Sequence, residues 1–74
     1  MKNNYTYRFE IRFTANHELI GLTDVPGNAI RMAKNAGGYV DIIDNDAKHP
    51  IAARLKDGAF TVISGSFRQE IIGK

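Results

Sequence analysis

The residue types able to do chemistry are few in this 74-residue chain: two histidines, eight carboxylates, ten basic residues and no cysteine. Without cysteine no disulfide can form, and a Cys-based zinc site is excluded. The acidic stretch Asp41-Ile42-Ile43-Asp44-Asn45-Asp46 invites a calcium reading. An EF-hand loop starting at Asp44 needs glycine at its sixth position and glutamate at its twelfth, and those positions hold His49 and Leu55. A strand end followed by an Asx-rich turn accounts for the same residues. His17 and His49 belong to no H-E-x-x-H helix, and they read as exposed turn histidines. Ser64 and Ser66 stand in no nucleophile elbow. Five residues stand between Gly21 and Gly27, where a KH loop has two, and no Gly-Lys-Ser/Thr ending follows as in a P-loop. The expectation is a non-enzyme with no cofactor and no metal.

The basic residues form the more informative constellation. Arg8 and Arg12 are assigned to the polar face of the first strand, and Arg54 and Lys56 to that of a later strand. Arg68 joins them if the last segment pairs with the sheet, and Arg31 and Lys34 lie one helical step apart on an exposed helix face. A net charge of +2 is too balanced to argue nucleic-acid binding from composition. Glu10, Asp41 and Glu70 are interspersed, so one reading is an ordinary solubilising surface. The other is a positive patch for an acidic or phosphate-bearing partner. Single-strand binders usually add exposed aromatics, yet Tyr5, Tyr7, Phe9, Phe13 and Phe60 all fall on the predicted core face. Tyr39 is the main candidate for exposure.

These residues must be positioned by a small sheet and a helix. Tyr5, Tyr7, Phe9, Ile11 and Phe13 alternate with Thr6, Arg8, Glu10 and Arg12, the period of a half-buried strand. Thr14 to Leu22 reads as a loop or short strand extension interrupted by Gly21. Thr23 or Asp24 as N-cap and Pro26 in the first turn predict a helix to Ala36, with Gly37-Gly38 as its stop. Gly27 is a mild objection. Val25, Ala29, Ile30, Ala33 and Ala36 make a narrow apolar stripe. Tyr39 to Asp44 is the second strand, and Pro50 opens a third over Ile51 to Lys56. Asp57-Gly58 is a two-residue hairpin signal. That turn places Leu55 opposite Phe60, Ala53 opposite Val62, Arg54 opposite Thr61 and Lys56 opposite Ala59. Phe67 to Ile72 reads as a short last strand. The expected fold is α+β, in the order β-α-β-β-β, with one helix on a small, mostly antiparallel sheet and one domain over residues 1–74.

A chain of this length buries roughly 60% of the surface its unfolded state exposes, so the core is thin. No segment approaches the roughly 20 apolar residues of a transmembrane helix. Met1-Lys2-Asn3-Asn4 leads straight into a strand pattern without a signal-peptide apolar region, so a cytoplasmic location is expected.

With helix, strand and hairpin in place, the pattern resembles small anti-CRISPR proteins of phages, in particular a type I-F group with one helix on an antiparallel sheet. The residues that carry the resemblance are Ala29-Ile30-Arg31-Met32-Ala33, Gly38-Tyr39-Val40-Asp41-Ile42 and Ile51-Ala52-Ala53-Arg54-Leu55-Lys56-Asp57-Gly58, within positions 23 to 60. It implies a non-catalytic inhibitor that occupies the nucleic-acid-binding surface of a CRISPR surveillance complex, with contacts from Arg31, Lys34 and Arg54. Pro26 and Gly27 depart from the regular helix start of that group.

The expectation is therefore a small binding protein, encoded by a phage or mobile element, that inhibits by protein–protein contact. Its candidate contact residues are Arg31, Lys34, Arg54, Lys56, Arg8, Arg12 and Tyr39. The alternatives are a nucleic-acid-binding accessory protein and a domain that completes its thin core as a homodimer.

Overall fold

A computed structural model of the chain describes residues 7–47 and 50–72. The element order is β1 (Phe9–Phe13), β2 (Leu19–Thr23), α1 (Pro26–Ala36), β3 (Tyr39–Asp44), β4 (Ile51–Lys56), β5 (Ala59–Ile63) and α2 (Gly65–Ile72). The strands form one antiparallel sheet in the order β2-β1-β3-β4-β5. Both helices pack on the same face. The period-two alternation of β1 sends Phe9 and Ile11 into that face, where Val40, Ile42, Ala53 and Leu55 join them, and Ala52 is buried with the same cluster. Ala29 and Ala33 meet them from α1, and their small side chains let the helix lie close.

The fold class is α+β as expected, but with two helices. Phe67 to Ile72 is helical, not a strand. The Ser64 hydroxyl accepts the Phe67 N–H at 3.2 Å, and the Ser64 carbonyl accepts Arg68 N–H at 3.0 Å. A serine cap thus starts a helix that aims Phe67 and Ile71, four apart, at the core. Phe67 is 1% exposed and meets the Phe9 ring edge-on, with centroids 5.6 Å apart.

Other differences have local causes. Thr14 to Leu22 divides into a turn, in which the Phe13 N–H bonds Glu18 and the His17 N–H bonds Phe13, and the strand β2. Gly21 fits within β2 because its hydrogen faces Met32; a Cβ there would stand 2.7 Å from Met32 Sδ. Neither Thr23 nor Asp24 caps α1. Val25 takes the N-cap position without a side-chain bond, the Thr23 hydroxyl accepts Val25 N–H, and the Asp24 carboxylate accepts the Arg8 N–H instead.

Among the described residues the first strand begins only at Phe9, so Tyr7 and Arg8 precede it instead of belonging to it. Tyr5 lies outside the described residues, as does His49 of the predicted turn, and Tyr7 is exposed instead of buried. Phe60 is 38% exposed. The β4–β5 hairpin keeps Lys56 opposite Ala59 and Leu55 opposite Phe60, but a bulge then places Arg54 opposite Val62 and Ala53 opposite Ile63. Thr61 is the extra residue, and its hydroxyl bonds the Arg54 carbonyl at 3.0 Å.

Candidate partner-binding surface

The seven candidate residues separate into two groups, one occupied by intramolecular carboxylates and one free of them. Arg12 and Arg54 lie on the sheet face opposite α1 and α2, in register across β3 at Asp41. Arg12 Nε donates to Glu10 at 2.8 Å and Nη1 to the His17 carbonyl at 2.7 Å. Arg54 grips Asp41 through Nε at 2.6 Å and Nη2 at 3.2 Å, and the Thr14 hydroxyl donates to the same carboxylate at 2.8 Å. Burial alone would push the Asp41 carboxyl up, but the bonds from Arg54 and Thr14 outweigh it and hold the group below its ordinary value. Arg12 and Asn45 likewise hold Glu10 below the usual carboxylate range.

Arg8 does not share that face. It precedes β1, lies over the Phe9 ring at 4.6 Å and reaches back to α2. Both Glu70 oxygens accept from it at 2.6 Å, and Asp44 accepts through two more bonds at 3.2 and 2.9 Å. This fork geometry is what guanidinium provides and ammonium does not. Glu70 first and Asp44 second raise the Arg8 pKa, so the cation stays charged while it clasps α2 to the sheet. Arg8, Arg12 and Arg54 therefore organise the molecule itself.

Arg31, Lys34 and Lys56 make no ion pair with a carboxylate among the described residues. Arg31 donates only to Asn28, one turn back on α1, at 3.0 Å. Lys34 reaches from the last turn of α1 to 5.9 Å from the Phe60 ring centroid, and Lys56 stands 5.5 Å from that of Tyr39. Tyr39 is 55% exposed, as the sequence led us to expect. The two lysine–aromatic pairs flank opposite faces of the β4–β5 hairpin at one end of the sheet, with Gly58 beside Lys34. Such pairs hold the ammonium groups over rings without neutralising them. The result is an exposed corner built from the end of α1, the start of β3 and the hairpin.

Two features of this corner escaped the sequence reading. Phe60 belongs to it because β5 is an edge strand with little helix above it. Asp57 braces it: its carboxylate accepts Gly38 N–H at 2.8 Å, and its own N–H donates back to Gly38 at 2.8 Å. The Asp57-Gly58 signal identified the turn but not this second partner.

Among the described residues no cluster of three or more His, Asp or Glu is arranged to hold a metal ion, and no helix is long and apolar enough to cross a membrane. Compared with protein-family models, curated proteins and solved structures, the chain has no match.

Proposed function

We propose that this chain is a small non-catalytic binding protein that acts by protein–protein contact through the corner formed by Arg31, Lys34, Tyr39, Lys56 and Phe60. The observation that carries the reading is the division of the cations. The sheet arginines are held by Asp41, Asp44, Glu10 and Glu70, whereas the corner presents three cations and two exposed rings. Desolvating those cations against solvent alone is unfavourable, and an acidic surface restores their electrostatic energy.

The pattern resemblance supports an inhibitor from a phage or mobile element that works in the cytoplasm on a CRISPR surveillance complex. Charge refines where it docks. A nucleic-acid-binding groove is itself cationic and repels this corner, so an acidic protein surface of the complex is the fitting site. Recovery of complex subunits on the tagged chain, lost for the Lys34→Gln/Lys56→Gln variant, is the expected result. Equal recovery by both proteins contradicts the reading.

A second reading has one specific observation in its favour: cations beside exposed rings also suit the phosphates and bases of single strands. An electrophoretic shift of a labelled oligonucleotide over a salt series separates the two. Binding without any protein partner that weakens steeply with salt favours nucleic acid.

A further inference from the structure

The outer edge of β5 points to a second contact, which shares only Phe60 with the basic corner. Among the described residues β5 pairs only with β4, so its other side presents backbone donors and acceptors with no described strand beside them. Natural edge strands are usually protected by charge, proline, a bulge or a covering element, and of these β5 has the bulge at Thr61. Ala59-Phe60-Thr61-Val62-Ile63 has no charge and no proline. Its exposed side chains are apolar or neutral, with Phe60 at 38% and Val62 at 52% exposure.

The bulge at Thr61 gives this strand an unusual facial order. Phe60 and Ile63 both face the helix side, where they line a groove of about 340 Å³ with Arg68, Ile71 and Ile72 of α2. Thr61 and Val62 both oppose Arg54, whose side chain lies on the face opposite the helices. From Phe60 to Ile63 the order is helix side, open side, open side, helix side, which reads the same in both directions. A two-fold axis between Thr61 and Val62 therefore brings Phe60 opposite Ile63 of a second copy, and Thr61 opposite its Val62. Every residue meets one on its own face, as an antiparallel ladder requires. The strand itself carries no charge to repel an identical partner, and the one cation of the groove, Arg68, lies on α2.

We propose that β5 pairs antiparallel with β5 of a second copy of this chain about that axis. The two sheets join into one, and Phe60 and Ile63 of each copy cover the apolar groove of the other. The contact is isologous and closes after two subunits. It leaves Arg31, Lys34, Lys56 and Tyr39 of each copy outside the seam, so an assembly that presents two acidic sites would bind the pair more tightly than a single chain.

The test is sedimentation of the full chain over a concentration series from about 5 to about 500 μM. A contact of this small extent predicts a monomer–dimer equilibrium with Kd on the order of 10–100 μM. Val62→Lys and Val62→Glu each place like charges diagonally across the axis and are expected to weaken the dimer at least tenfold. Far-UV circular dichroism of both variants should match the parent, since Val62 is exposed. Mixing the two variants restores the dimer by pairing opposite charges, a recovery that misfolded proteins would not show. Because the chain has no cysteine, a mixture of Thr61→Cys and Val62→Cys reports the register as a disulfide heterodimer on a non-reducing gel. A monomer throughout the series overturns the proposal, as does a dimer that either charged variant leaves intact.

Discussion

Asp57 and Gly38 bind each other twice: the Asp57 carboxylate accepts the Gly38 N–H and the Asp57 N–H donates to the Gly38 carbonyl, each at 2.8 Å. This exchange ties the β4–β5 turn to the α1–β3 turn and so fixes where Tyr39 and Lys56 stand relative to Lys34 and Phe60. Asp57 also holds a positive φ of 51°, a region that aspartate and asparagine tolerate better than alanine. Asp57→Ala is expected to cost about 1–2 kcal/mol by urea denaturation, from the lost bond and the backbone strain together. Asp57→Asn retains an acceptor and the backbone tolerance, and should cost less than about 0.5 kcal/mol.

Asp41 is nearly buried, while its partner Arg54 is 41% exposed at the side chain. Asp41→Asn therefore leaves a cation that water can still reach, and the expected loss is about 1–2 kcal/mol rather than the larger cost of stranding a buried charge. Urea midpoints measured at neutral pH check the figure.

The same carboxylate sets an acid limit together with Glu10. Both have folded pKa values below their ordinary 3.8 and 4.5, so the unfolded chain binds more protons in that range. Their contribution is full above about pH 4.5 and is lost as pH falls through the folded values. Urea midpoints from pH 6 to pH 3 should drop on acidification, and the Asp41→Asn/Glu10→Gln variant should show a shallower drop.

Gly21→Ala brings a methyl against Met32 Sδ, which stands 2.7 Å from the Cβ position. The thioether is flexible, so the expected cost is about 1 kcal/mol. In a Met32→Ala background the added penalty of Gly21→Ala should nearly vanish, a coupling that a double-mutant cycle reads directly.

Phe67 is the one fully buried side chain of α2. Phe67→Ala is expected to lose about 3–5 kcal/mol, a large share of a small domain's stability. Thermal unfolding with circular dichroism measures this, and Phe67→Leu should retain much of the difference.

What was legible in the sequence is what short-range pattern encodes. The alternation around Phe9 and Ile11, the Pro26 start and Gly37 stop of α1, and the Asp57-Gly58 turn each act within a few residues. α2 was missed because Phe67 and Ile71 fit one face of a helix only once Ser64 is recognised as its cap. β2 was obscured because Gly21 looked like a break, when its missing side chain is the space that Met32 occupies. The hairpin register failed beyond Leu55 because nothing in the turn announces the bulge at Thr61. The candidate cations were found, but their division was not: Arg8 and Glu70 are separated by 62 positions, and only the tertiary fold brings them together.

The corner around Lys34 and Lys56 is proposed to bind an acidic protein surface. The most direct measurement of this is the affinity of the full chain for an immobilised, purified type I-F surveillance complex, beside that of Lys34→Gln/Lys56→Gln. Glutamine removes the charge and with it the ammonium contacts to Phe60 and Tyr39, while both rings stay in place. The expected result is saturable binding by the parent and a loss of about tenfold to a hundredfold in the variant, in line with two desolvated charge contacts. Absence of binding by the parent, or equal affinity in the variant, would contradict it.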